Sequence, residues 1–122
     1  MGIIIECYEL AADQVPSKPT GDVLLSILQG RSPVASLPLN SAIAAEALSV
    51  LENLDATFFA GALEPNFSTL IPLEIQADLH TKVDDVLNKG GSEDYVLAIF
   101  DLLEVTLSEA MRTSKTLVFR VR

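Results

Sequence analysis

A chain of 122 residues with 17 acids, 8 bases and a formal charge of −9 fits one compact domain rather than two. Half of the residues are apolar and a fifth are charged, a balance that lets a chain of this length bury roughly two-thirds of its unfolded surface. One Cys and one His exclude a disulfide framework and a four-ligand zinc site, because both need several such residues converging on one point.

Charge is distributed unevenly. Arg112, Lys115, Arg120 and Arg122 fall in the last 11 residues, so the chain carries −13 before residue 112 and +4 from there on. An anionic body repels phosphates, which argues against direct DNA or RNA binding. At alternating strand positions the terminal bases read first as the solvated face of a sheet edge, where they discourage edge pairing, and second as a small anion site.

The opening Ile3, Ile4 and Ile5 meet Glu6 at once, without the basic and apolar regions of a signal peptide. The longest uncharged run, Ser32 to Ala45, is too short to span a bilayer and contains Pro33 and Pro38. Glu6 stands where a myristoylation motif wants Ser or Thr, and the sequon at Asn66, Phe67 and Ser68 has no secretory route to serve. The expected setting is a reducing cytoplasm with no membrane contact, in which Cys7 stays a thiol.

In chain order, the β-branched alternation of residues 2–9 predicts a strand with Ile3, Ile5 and Cys7 on one face. Asp13, Pro16, Ser17 and Pro19 mark a connection up to Thr20. Thr20 or Asp22 then caps a short helix carrying Val23, Leu24, Ile27 and Leu28, with Gly30 suited to the left-handed residue beyond its end. Residues 31–39 read as a Pro-broken loop. Asn40 or Ser41 caps a long helix with Ile43, Ala47, Val50, Leu51, Leu54 and Phe58 on one stripe, ended by Gly61, Pro65 and Asn66.

Ser68 or Thr69 is expected to open the next helix, with Pro72 in its first turn and a stripe of Ile75, Leu79, Val83, Val86 and Leu87. Gly90 and Gly91 stop it, and Asp78–Lys82 and Asp85–Lys89 have the acid-before-base spacing of ion pairs. Ser92 caps the last helix, with Glu93 and Asp94 in its first turn. Val96, Ile99, Phe100, Leu103, Leu107 and Met111 form its stripe, and Leu97, Leu102 and Val105 widen the apolar arc, which marks it as the central helix. After Thr113 and Ser114 the period becomes two, with Leu117, Phe119 and Val121 opposite Val118, Arg120 and Arg122, a closing strand. The predicted fold is therefore α+β, about four helices packed on a small sheet formed by the N- and C-terminal strands. Pairing those strands would set Glu6 beside Arg120.

Candidate chemistry is sparse. A cysteine nucleophile needs Cys7 beside His80 and an orienting group, whereas the packing reading needs only that Cys7 continue the Ile3 and Ile5 face. His80 and Asp84 supply two metal ligands of a set with no visible third. Asp84, Asp85, Asn88, Gly90 and Glu93 fail as a calcium loop because Val86 and Leu87 occupy ligand positions. No phosphate-binding glycine loop or hydrolase nucleophile elbow occurs, so no catalytic motif and no cofactor are expected. Tyr8 and Tyr95 read as core-boundary residues ahead of binding aromatics.

Several stretches carry a resemblance. Met1-Gly2 leading to Tyr8, the Leu24-to-Gly30 helix, the helix from Asn40 with its Ala-Glu-Ala-Leu core, Glu64-Pro65, and Tyr95 to Phe100 running into Leu117-Val118-Phe119 together resemble the YfbM-like family, small bacterial proteins grouped as a domain of unknown function. They cover roughly half of the chain. The Trp-His pair frequent in that family's early helix is absent here, and its Gly-rich insertion is shortened to Gln29–Pro38. The resemblance implies an α+β fold in a bacterial cytoplasm and transfers no site residue.

Three functional readings follow. The first is a non-enzymatic protein whose acidic surface, with Glu46, Glu52, Asp55, Asp78, Asp84 and Asp85, engages a basic protein partner, as an inhibitor or immunity-type protein would. Against it stands the simpler reading of these acids, and of Asp101 and Glu104, as solvated helix faces. The second is a small-ligand binder or enzyme with a pocket between sheet and helices that uses Tyr8, Cys7 or His80. The third is a homodimer joined through helix faces or strand edges.

Overall fold

A computed structural model of the protein describes residues 2–17, 21–64, 66–90 and 94–122. The expectations placed on Pro19, Thr20, Pro65, Gly91, Ser92, Glu93 and the Tyr95 side chain fall outside what is described.

The first strand, β1 (Gly2–Leu10), and the last, β4 (Thr116–Val121), pair antiparallel at the centre of a four-stranded sheet of order β2-β1-β4-β3. Cys7 lies opposite Phe119, and Glu6 opposite Arg120. Period-two alternation sends Ile5, Cys7, Leu117, Phe119 and Val121 to one side, here the front, and Tyr8, Leu10 and Val118 to the back. The fold is α+β.

Two strands correct the sequence reading. Residues expected as loop form β2 (Ala35–Asn40), in which Ala35, Leu37 and Leu39 pack toward the core while Ser36, Pro38 and Asn40 are exposed. The Ile4 amide donates to the Arg122 carbonyl at 3.1 Å and the Ile4 carbonyl accepts from the Arg122 amide at 2.9 Å. Both main-chain groups of Ile4 thus point away from Pro38, its register partner on β2, so the proline nitrogen falls on the free edge, where no donor is needed. Residues expected to open a helix form β3 (Ser68–Ile71), paired with β4 from Ser68↔Arg120 to Ile71↔Leu117. Pro72 is extended (φ −65°, ψ 155°) and stands just before the helix instead of inside it. With β2 and β3 at the edges, β4 is interior. Its bases therefore do not line a sheet edge as expected, and the Arg120 side chain is only 19% exposed.

The helices are α1 (Gly21–Leu28), α2 (Ser41–Leu54), α3 (Ala56–Phe59), α4 (Leu73–Lys89) and α5 (Asp94–Arg112). Asn40 caps α2, its Oδ1 accepting from the Ala42 amide at 2.9 Å. The long helix expected to reach Phe58 breaks at Asp55. There the backbone turns extended, and Oδ1 accepts from the Thr57 amide at 3.1 Å, so one residue ends α2 and caps α3. The buried stripe of α2 is Ala44, Ala47, Leu48 and Leu51, rotated from the predicted one so that Ile43 and Val50 sit at its margin.

On the front, α2, α4 and α5 form one layer. Helix α5 packs against α4, α2, β2 and β4 and is the central helix, although Val105 is 62% exposed and marks where its apolar arc leaves the core. Phe119 meets Phe59 edge-on, with ring centroids 5.3 Å apart. On the back, α1 supplies Leu24 and Leu28 to a smaller cluster with Tyr8, Leu10 and Val118, and Gly30 (φ 79°) turns the chain beyond α1.

Among the described residues, Gln76 and Thr106 are the buried polar side chains of the front layer. Gln76 is wholly buried on α4, and its Nε2 donates to the Ile71 carbonyl at 3.1 Å and the Lys115 carbonyl at 2.8 Å, tying the ends of β3 and α5 to α4. No helix among the described residues is long and apolar enough to cross a membrane.

Candidate functional site

The sequence named six acids, and the fold gives them different work. Glu52 accepts from the Gly61 amide at 3.2 Å through Oε2 and so holds the turn after α3. Asp55, with its side chain 9% exposed, caps α3 and takes Lys82 on Oδ2 at 3.1 Å. These two carboxylates are committed inside the molecule. Because Lys82 is drawn to Asp55, the Asp78–Lys82 pair expected from spacing is replaced by a link between α4 and the α2–α3 junction. Asp85 does take Lys89, at 2.9 Å, on a well-exposed surface. Glu46 lies exposed on α2.

Asp78, Asp84 and Asp85 are brought together. With His80, Thr81, Lys82 and Asn88 they line an open cleft of about 400 Å³ along the outer side of α4. One of its lining residues, His80, also reaches α5 through a contact that the sequence reading did not foresee. His80 Nε2 lies 3.3 Å from Glu104 Oε1 and 3.0 Å from Ser108 Oγ, and the Ser108 hydroxyl donates to the same Glu104 oxygen at 3.3 Å. Glu104 and Ser108 are one helical turn apart on α5, so both reach a single residue of the neighbouring helix. The spacing was visible; that α4 and α5 place His80 opposite it was not.

The trio resembles a hydrolase triad in composition only. In a working triad the serine and the acid occupy opposite ring nitrogens, so that the acid orients the base and the base deprotonates the hydroxyl. Here both crowd Nε2, and the hydroxyl gives its proton to Glu104. The arrangement joins two helices and presents a carboxylate outward.

The other candidates separate. Cys7 is fully buried beneath Thr106, whose Oγ1 lies 3.8 Å from its sulfur, and burial pushes the thiol up to about 12. Tyr8 is 3% exposed on the back face and donates to Glu6 Oε1 at 2.9 Å; burial first, and then this bond, raise its phenol above the ordinary value. Cys7 faces front, Tyr8 faces back and His80 lies on the outer helix surface, so the three do not share a pocket. Among the described residues, no group of three or more His, Cys, Asp or Glu stands close enough to hold a metal ion.

Three of the four terminal bases are engaged by acids. Arg112 grips Glu109 with two nitrogens, one at 3.0 Å, and holds that carboxyl below its usual range. Arg120 and Arg122 approach Glu6 at 4.0 and 3.5 Å. Comparison with family models, curated proteins and solved structures gives no match, so this geometry alone carries the functional argument.

Proposed function

We propose that the protein is a non-enzymatic protein-binding or regulatory protein that docks a basic partner on the outer face of α4 and α5, in the manner of an inhibitor or immunity-type protein. The observation that carries this reading is the gathering of Asp78, Asp84 and Asp85 along one open cleft. Helices α4 and α5 together hold eight acids against three bases. One of those bases, Lys82, is drawn away to Asp55, while Lys89 and Arg112 pair with Asp85 and Glu109 of the same helices. Such a face focuses a negative potential that accelerates encounter with a basic surface more than it deepens affinity. Val105, 62% exposed and one turn from Asp101, adds an apolar contact of the kind found inside a charged rim.

The reading places the protein in a reducing cytoplasm, which its single buried thiol suits. Kinship with the YfbM-like family belongs to the same proposal and rests on the stretches quoted above. The test is capture of partners by a tagged copy from native cells at low and high salt, with mass spectrometry. A stoichiometric basic protein released at high salt supports the reading. Binding that is unchanged when Asp78, Asp84 and Asp85 are replaced by Asn counts against it.

A further inference from the structure

The back of the sheet is covered only in part. Helix α1 and its flanks lie over Tyr8, Leu10 and Val118, whereas Ile4 is 38% exposed and Ser36 and Pro38 stand in solvent. At the boundary a polar row crosses all four strands, since Ser36, Glu6, Arg120 and Ser68 are successive register partners. Arg122, two residues beyond Arg120 on β4, extends from the same face. We propose that this row and Arg122 form a site for the carboxylate of a small organic acid.

Charge and hydrogen bonding are both left incomplete there. Arg120 and Arg122 approach Glu6 at 4.0 and 3.5 Å, each longer than a direct charge-assisted hydrogen bond, and Glu6 already accepts from the Tyr8 hydroxyl at 2.9 Å. Two guanidiniums thus share one carboxylate, a local positive excess in a chain whose formal charge is −9. Among the described residues, Arg120 Nε and Ser68 Oγ are buried without a hydrogen-bond partner, a state that native structures rarely leave unfilled. The Val121 amide donates to the Phe67 carbonyl at 2.8 Å, so the neighbouring Ser68↔Arg120 pair has no main-chain bonds between its members and its Cβ atoms stand about 5 Å apart. One oxygen placed between these side chains accepts from both Nε–H and Oγ–H, and the second oxygen of a carboxylate meets Arg122.

The charge count selects the class of ligand. A carboxylate brings the single negative charge that balances two guanidiniums against Glu6, whereas a dianion brings one too many beside a buried acid. Neither unfilled donor meets solvent as the side chains lie, so the ligand enters by displacing one of them. Arg122, with its side chain 51% exposed and loosely held, swings outward; Arg120, 19% exposed between Glu6 and Ser68, is the fixed half of the clamp.

The experiment is titration of the full chain with acetate, chloride and sulfate at matched ionic strength, in slightly acid buffer where guanidinium protons exchange slowly. The readouts are the Nε–H resonances of Arg120 and Arg122 and the amide of Ser68. Acetate is expected to move all three with saturation, chloride to move none, and sulfate to bind about tenfold more weakly. Ser68→Ala should weaken acetate about threefold and Arg122→Gln about tenfold. Glu6→Gln keeps an acceptor for Tyr8 and removes the competing charge, so it should tighten acetate about tenfold and admit sulfate. Melting curves establish that each variant is folded before it is titrated. Acetate shifts no larger than those in chloride overturn the site, and so does unchanged acetate affinity in Ser68→Ala and Arg122→Gln. Sulfate binding as tightly as acetate to the wild type overturns the charge count. None of these outcomes touches the acidic face, whose Asp78, Asp84 and Asp85 lie on a helix of the opposite layer.

Discussion

On the front of the sheet, Ile5, Cys7, Leu117 and Phe119 are wholly buried beneath three long helices; on the back, Tyr8, Leu10 and Val118 meet only α1 and its flanks, and the same strands then present Glu6 and Arg120. Residues one apart on β1 thus live in a dry core and in a charged network. The contrast teaches how two central strands fix their register. A one-residue slip of β1 would carry Glu6 under the helical layer and leave its carboxylate without Arg120 and Arg122, at the cost of a buried unpaired charge. The front therefore supplies most of the stability, and the back supplies specificity of pairing.

The largest expected effect sharpens this division. Phe119→Ala removes the ring that Phe59 and Phe67 pack against and is expected to cost about 4 kcal/mol in urea unfolding, whereas Leu24→Ala in the smaller back cluster costs about 2.5 kcal/mol. Equal costs would erase the distinction between the faces. Gln76→Leu comes next, at about 2 kcal/mol, because it leaves the buried carbonyls of Ile71 and Lys115 without a donor although it adds apolar volume. A neutral result would mean that water replaces the amide and that the front layer is less dry than argued.

Cys7 probes the dryness of the front through pH. Its folded-state value lies near 12 against 9.0 in the unfolded chain, so the buried neutral thiol contributes fully below pH 9 and its contribution is lost as pH rises toward 12. Relative to Cys7→Ala, the wild type should lose up to about 1.4 kcal/mol per pH unit in that window. Parallel pH profiles for the two proteins would show the thiol to be in contact with solvent. The smallest effect belongs to the back. In a Tyr8→Phe background, replacing both Glu6 and Arg120 with Leu should change stability by less than about 1 kcal/mol, since it leaves neither a charge nor the Tyr8 hydroxyl stranded. Replacing Glu6 alone should cost more than the double change, measured by the same unfolding curves.

Much of the architecture was legible because period and burial agree. The alternation around Ile5 and Cys7 marked β1 and that of Leu117, Phe119 and Val121 marked β4, the opposition of Glu6 and Arg120 followed from their polar faces, and α1 declared itself through Leu24, Leu28 and Gly30. The edge strands were hidden for different reasons. In β2, the alternation of Ala35, Leu37 and Leu39 is interrupted by a proline, which is tolerated because its nitrogen faces outward. In β3, four residues are too few to show a period, and a proline beside them imitates a helix start.

The candidate site was half legible. Acid positions on α4 pointed to the cleft, but nothing local told Asp55 from Asp78. The difference arises only when packing brings Lys82 to one and leaves the other at the cleft. The link from His80 to Glu104 and Ser108 likewise exists only in the packed helix pair.

The most direct test of the acidic-face account is the association rate of the captured partner with the wild type and with the Asp78→Asn, Asp84→Asn, Asp85→Asn protein across ionic strength. The account predicts a wild-type rate that falls steeply with salt and a variant rate about tenfold lower at low salt with a shallow slope, at matched melting temperatures. Identical rates and slopes for the two proteins would contradict it.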